Sequence, residues 1–351
     1  MYSTTADLAP LPPNTTSWLA SKETDCIPDS EYVDLTVIDI SSLIANPDLM
    51  SATAQHTIDE AIRAFQETGF IVITGHGLTP ETISRQFDLA YMWLSVSEKV
   101  KHEFHAKISE GSWAGYKPQG YYKRSNGARD TTESHDFYPK TVIKDIQPAV
   151  FWPYLDEIRE FYNYTHFVLL RTLLSIISQG LGMDRDSFWN MHRRKDGPPD
   201  IIHTRDLFRG AMYHPPSEED RSKMKKLWLP VHTDRGSLTF LYSQPTAGLQ
   251  VFVNDRWKYV RHYPNGILVN VGDAMEFTTG GLLKAAVYRV HEPPDDQRYL
   301  PRLGLFYFAT MLPEIPLQPL KALASLASPL PDGVFEEFEG KIPTAGGMSF
   351  R

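Results

Sequence analysis

A single cysteine, Cys26, stands in a chain of 351 residues. One thiol closes no intramolecular disulfide, so the fold must hold by packing, and the scarcity fits a reducing compartment. Basic charge is also short: 35 Lys and Arg face 43 Asp and Glu, a net charge of −8. Nucleic acid and anionic membranes both reward a basic face, so neither is expected as a partner. Long apolar runs are missing too. The best candidate, residues 161–183, is interrupted by His166, Arg171 and Gln179 and reads as buried amphipathic helix, not a membrane span. The chain opens without the basic, apolar and small-residue series of a secretory leader. The expectation is a soluble cytoplasmic protein, a monomer or weak homodimer.

What is present is a core. Apolar residues make up 42%, with seven Trp, seventeen Tyr and eighteen Phe, which excludes a disordered chain. Twelve histidines beside the one cysteine hint at metal or acid–base chemistry.

The patterning divides the chain. Residues 1–30 form a Thr-, Pro- and Ser-rich extension. Residues 31–200 are mainly helical: a strand at Val37–Ile40, a helix over 51–68 with Ile58, Ala61, Ile62 and Phe65 at three-to-four spacing, a strand at 70–73, a helix from Pro80 to about Ser95, a loop-like stretch over 105–140 and helix over 154–181. Residues 201–312 change to short strands near 211–214, 227–232, 238–243, 249–253, 257–260, 266–271, 284–290 and 302–311, separated by turn residues. Helices before strands make the class α+β, and the strand spacing suggests a sandwich, jelly roll or barrel. Residues 313–351 form a Pro- and Gly-rich tail with a helical stretch near 320–326.

His232-Thr233-Asp234 ends an apolar run that reads as a strand. Positions i and i+2 of a strand share a face, so imidazole and carboxylate converge. They supply two of the three ligands of a facial triad for non-haem Fe(II), which leaves positions open for O2 and substrate. The plainer reading makes Asp234 the start of an Asp-Arg-Gly turn and His232 a core histidine.

The run from His232 to Leu241, then Ala247-Gly248-Leu249-Gln250-Val251, Val269-Asn270-Val271-Gly272-Asp273 and Gly280-Gly281-Leu282-Leu283-Lys284, resembles the iron/2-oxoglutarate oxygenases related to isopenicillin N synthase. Val37–Ile40 and Gly69–Gly77 match that family's amino-terminal region in order and spacing, so the resemblance covers roughly residues 35–312. Gln297-Arg298 and Arg302–Phe308 resemble fungal members. The resemblance implies a double-stranded β-helix (jelly roll) core behind a helical amino-terminal layer.

It also implies Fe(II) as metal, 2-oxoglutarate as co-substrate, and O2 with a small molecule as partners. The implied activity is oxidation of a secondary-metabolite C–H bond.

At the third ligand the chain departs from the family. The family's last histidine lies in a stretch like Lys-Ala-Thr-Ile-His-Arg-Val. The ungapped match is Lys284-Ala285-Ala286-Val287-Tyr288-Arg289-Val290, which puts Tyr288 in the histidine's place. His291 follows three residues on and is the alternative, but an odd offset points to the opposite strand face unless a bulge re-aims it. Three outcomes stay open: a phenolate ligand, which suits ferric better than ferrous iron; a two-ligand site of His232 and Asp234; or a degenerate fold that acts without oxidation, as a cyclase, isomerase or binding module.

Arg302-Leu303-Gly304 occupies the place of the family's Arg-x-Ser, whose Arg pairs with the distal carboxylate of 2-oxoglutarate. A guanidinium fork suits that role, and Gly304 lacks the serine hydroxyl. For the substrate pocket the candidates are Tyr116, Tyr121 and Tyr122, in a stretch resembling the family's Gly-Tyr-x-Pro, and His214 before Pro215-Pro216. The tail over 313–351 is a possible lid. His76 reads as a structural turn histidine, and His102, His105, His192 and His262 as solvated.

Overall fold

Twelve strands arrange into two sheets in the computed structural model, which describes residues 8–12, 16–46, 49–121, 124, 127–198, 200–327 and 342–347. They are β1 (Val37–Asp39), β2 (Phe70–Thr74), β3 (Gly115–Lys117), β4 (Thr132–Phe137), β5 (Leu207–Tyr213), β6 (Leu227–His232), β7 (Leu238–Tyr242), β8 (Leu249–Val253), β9 (Arg256–Tyr259), β10 (Ile267–Val271), β11 (Tyr288–His291) and β12 (Arg302–Ala309). The large sheet runs β1-β2-β10-β7-β12-β5-β4-β3 and the small one β6-β11-β8-β9. Only β1 and β2 pair in parallel; the other pairs are antiparallel. This is a jelly roll with helices against one sheet.

Period-two burial explains the layers. Ile71 and Ile73 of β2, Phe240 and Tyr242 of β7, and Leu305 and Tyr307 of β12 face a core shared with the helices. Their neighbours Phe70, Val72, Leu241, Phe306 and Phe308 face inward, towards Leu249, Val251 and Tyr288 of the small sheet. The helix Ala52–Glu67 starts where the Ser51 side chain accepts the Ala54 N–H, and it buries Ile58, Ala61, Ile62 and Phe65. Pro80 opens the helix Pro80–Leu94, capped by Thr79. From Leu155 to Gly180 two α-helices join through a π-helical turn at Thr165–Leu170.

The elements depart from the sequence expectations in four places. The loop-like stretch 105–140 contains β3 and β4. Their buried residues are largely polar (Lys117, Glu133, Ser134, His135, Asp136), so no apolar alternation announces them. Short helices at Glu218–Met224 and Asp273–Thr279 fall between strands. In the strand expected over 284–290, pairing begins only at Tyr288. The helix expected near 320–326 is a series of turns. Most of the proposed lid, residues 328–341, lies outside the described residues, as does Tyr122.

Candidate active site

β6 ends at His232, and the following turn brings Asp234 back beneath it. The turn is held from two sides: the Asp273 N–H donates to the Asp234 carbonyl at 2.7 Å, and the Gly272 N–H to the Ser237 carbonyl at 3.0 Å. A Cβ at Gly272 would meet the Gly236 carbonyl at 2.3 Å and that of Asp234 at 2.8 Å, so only glycine permits this approach. Ser237 is fixed in turn by His192, whose Nε2 lies 2.7 Å from its Oγ. His192 is fully buried, not solvated.

Within this turn the Asp234 carboxylate is divided. Its Oδ2 accepts from Thr239 Oγ1 at 2.7 Å and Asn270 Nδ2 at 2.9 Å, neighbours in register on β7 and β10. Its Oδ1 accepts from the Tyr288 hydroxyl at 2.9 Å and lies 4.0 Å from His232 Nε2. His232 Nδ1 lies 2.9 Å from the Pro230 carbonyl, so the ring presents Nε2 as its lone-pair nitrogen. Thr239 and Asn270 were not singled out in the sequence; both lie in the motif runs quoted above.

Tyr288 pairs with His232 across β11 and β6, and the two rings lie 4.2 Å apart. The phenol therefore stands beside imidazole and carboxylate. Burial first, and the Asp234 charge second, push it well above its ordinary pKa, so at neutral pH it is a hydrogen-bond donor. His291 faces elsewhere. The β6–β11 register does shift between Tyr288 and His291, but His291 Nδ1 bonds the Glu292 carbonyl at 2.8 Å and lies 3.3 Å from the Tyr259 hydroxyl, outside the cavity.

His232, Asp234, Tyr288 and Arg302 line one cavity of about 600 Å3 between the sheets. Its floor is a ladder across β4, β5 and β12, with rungs Thr132–Tyr213–Arg302, Ser134–Ala211–Gly304 and Asp136–Arg209–Phe306. Arg302 is buried: its Nε donates to the Thr246 carbonyl at 3.2 Å and its guanidinium lies 5.6 Å from the Tyr213 ring centre. No carboxylate forms an ion pair with it among the described residues. At Gly304 a Cβ would come 2.6 Å from the Phe306 ring, which lies over the space a serine would need.

Of the pocket candidates, Tyr121 lines the cavity, whereas Tyr116 and His214 do not. Both turn to buried Glu133. The Tyr116 hydroxyl donates to it at 2.7 Å and His214 Nε2 lies 2.8 Å from it, with Lys101 completing the cluster at 2.8 Å. Satisfying that carboxylate outweighs facing the cavity. His76 is the turn histidine it resembled, its Nε2 2.8 Å from the Asn265 carbonyl.

Two family models match this chain. That of the 2OG-Fe(II) oxygenase superfamily covers residues 206–309, and that of the amino-terminal region of non-haem dioxygenases in morphine synthesis covers residues 35–154, together well over half the sequence. The chain belongs to the 2OG-Fe(II) oxygenase superfamily. This oxygenase is 28% identical over 282 residues to the UPF0676 protein C1494.01 of Schizosaccharomyces pombe, covering 78% of this chain and 83% of that one. It is 24% identical to gibberellin 20 oxidase 4 of Arabidopsis thaliana, covering 73% and 66%. Its fold matches a full-length Neurospora crassa protein solved in complex with alpha-KG at a TM-score of 0.70 and 19% identity, over 93% of this chain and 97% of that one. The oxygenase is thus an oxidoreductase of a family working with Fe(II), 2-oxoglutarate and O2, and the matches do not favour a non-oxidative use of the fold.

The residues present fit that metal and co-substrate with one difference. His232 offers a free Nε2, Asp234 an oxygen facing it, and Arg302 a buried cation not ion-paired to any described carboxylate. The difference is that a phenol, Tyr288, stands beside them with its hydroxyl donated to Asp234 Oδ1. Among the described residues no three His, Cys, Asp or Glu side chains cluster to hold a metal. No described helix is long and apolar enough to cross a membrane.

Proposed function

We propose that this oxygenase oxidises a C–H bond of a small molecule of secondary metabolism in an iron site built on His232 and Asp234. The observation that carries the reading is the convergence of His232 Nε2, Asp234 Oδ1 and Arg302 on one partly apolar cavity. His232 and Asp234 are the strong donors. The Tyr288 hydroxyl occupies the third position and orders Asp234 by hydrogen bonding, so the metal depends on fewer protein ligands than a full triad gives. Arg302, lying beside Tyr213, receives the distal carboxylate of 2-oxoglutarate as a planar bidentate donor. With iron and 2-oxoglutarate bound, the site supplies oxidising chemistry in which O2 and 2-oxoglutarate are consumed, succinate and carbon dioxide leave, and the substrate C–H is oxidised.

The protein's part is placement and dryness. Thr239 and Asn270 hold the carboxylate, the Pro230 carbonyl fixes the imidazole tautomer, and Phe70, Phe306 and Phe308 keep water from the reacting face. The acidic surface balance and single cysteine support a small-molecule enzyme of the cytoplasm, a monomer or weak homodimer, without nucleic acid or membrane as partner.

The test is release of succinate from 2-oxoglutarate by purified protein with Fe(II) and O2. Turnover that requires iron and falls at least a hundredfold in His232→Ala and Arg302→Leu supports the reading. Succinate release independent of either residue overturns it.

A further inference from the structure

The far end of the cavity carries a second basic pole. Lys117 of β3 and Arg209 of β5 share one fully buried carboxylate, Asp136 of β4. Arg209 holds it with a fork, Nε to Oδ1 at 2.8 Å and a terminal nitrogen to Oδ2 at 2.7 Å. Lys117 Nζ donates to the same Oδ2 and to the Trp113 carbonyl at 3.1 Å. An ammonium has three N–H donors, so one has no acceptor among the described residues. Asp130 and Arg124 line the same wall, with Asp130 near both arginines, so three cations face two carboxylates there in a chain whose net charge is −8.

Aromatic rings flank the pole. Trp113 lies 5.7 Å from Lys117 Nζ, and the Phe308 ring 5.1 Å from the Arg209 guanidinium. Phe306 and Phe308 stack with centres 5.8 Å apart and planes 14° apart. Lys117, Arg209, Trp113, Phe306 and Phe308 all line the cavity. The pole is separate from Arg302: Arg209 pairs with Phe306, four residues along β12 from Arg302, or about 13 Å at strand spacing. A co-substrate carboxylate at Arg302 leaves the Lys117 pole to a different ligand.

We infer that the substrate is an organic anion, a carboxylate on an aromatic or conjugated apolar body, and that Lys117 with Arg209 binds the carboxylate while the Trp113, Phe306 and Phe308 rings hold the body. This rests on the cavity being the substrate site of the proposed oxygenase. Lys117 is paired to Asp136, but with more cations than carboxylates on this wall and an N–H to spare, the pole favours an anion over a neutral ligand of one shape. Burial, and the neighbouring Arg209 charge, pull the Lys117 ammonium down to about 8 against the opposing pull of Asp136, and a bound anion would raise it again.

The probes are 2-naphthoate and 2-naphthalenemethanol, titrated by calorimetry into full-length protein with excess Fe(II) and 2-oxoglutarate under anaerobic conditions. Naphthoate should bind at least tenfold tighter than the alcohol. Lys117→Met, which leaves the Asp136–Arg209 pair intact, should bring the two within about twofold, and Arg302→Leu should leave the preference in place. Equal binding to the wild-type protein overturns the inference without any variant. A preference that survives Lys117→Met, or that disappears in Arg302→Leu, also overturns it. Binding is read without turnover, so silence in the succinate assay would sink the proposed activity and leave this result standing.

Discussion

Replacing Tyr288 with Phe deletes one hydroxyl and keeps the ring against His232, at 4.2 Å, and edge-on to Phe70, at 6.2 Å. The lost bond is the one donated to Asp234 Oδ1. Hydrogen bonds to charged groups contribute about 1.5–3 kcal/mol net. Asp234 keeps its bonds from Thr239 and Asn270, so the metal-free protein should lose about 1–2 kcal/mol. With an unfolding entropy near 2.1 cal/mol/K per residue over this chain length, the melting temperature should fall by about 2 °C. Metal binding should move the other way. If iron takes Oδ1, the Tyr288 bond competes with it, and its removal returns about 1–2 kcal/mol as affinity, roughly five- to thirtyfold. Thermal melts of metal-free protein and anaerobic Fe(II) calorimetry read the two effects separately. Fe(II) affinity falling tenfold in Tyr288→Phe would show the hydroxyl to be a ligand and refute the competitor role given to it here. An unchanged melting temperature would mean the bond adds nothing.

Three further outcomes are expected. Asn270→Ala and Thr239→Val each strip one bond from the buried Asp234 Oδ2. Each should weaken Fe(II) binding about 10- to 100-fold with modest loss of stability, and full retention of affinity would remove them from the site. Burial pushes the His135 and His192 imidazoles down to about 4. Below the unfolded value near 6.5 the unfolded chain binds protons the folded chain refuses, so the stability these two histidines contribute should fall as pH drops from 6.5 to 4 and stay level above 7. Urea melts across that range should show the slope reduced in His192→Asn, and an undiminished slope would contradict it. Gly304→Ser, which restores the family's residue, should cost about 1–3 kcal/mol because its Cβ meets the Phe306 ring. Adding Phe306→Leu should recover that loss in thermal melts.

The sequence shows its strands where one face is apolar and the other is not. β7, β10 and β12 are the exception, near-continuous apolar runs buried on both faces, and their expected spans lie within two residues of the observed ones. β3 and β4 stayed hidden because their burial is paid in ion pairs: Lys117 with Asp136, and Lys101 with Glu133. The partners come from separate segments, and only pairing registers bring them together. The same reason hides the basic pole of the cavity, since Lys117 and Arg209 are 92 residues apart in the chain. His232 and Asp234 were legible as a pair because they are two residues apart, but the shared strand face expected for them is not what joins them: β6 ends at His232, and the turn after it brings Asp234 alongside. Tyr116 and His214 misled for the converse reason. Their positions match a family pattern, but a buried Glu133 elsewhere in the fold claims their polar atoms.

The most direct test of the iron and 2-oxoglutarate site is anaerobic calorimetry with Fe(II), followed by 2-oxoglutarate, on wild-type, His232→Ala and Arg302→Leu proteins. The expected result is one iron per chain, lost in His232→Ala, then one 2-oxoglutarate per iron-loaded chain, lost in Arg302→Leu while iron binding persists. Iron-loaded wild-type protein that takes up no 2-oxoglutarate, or that binds it equally well without Arg302, would contradict the account.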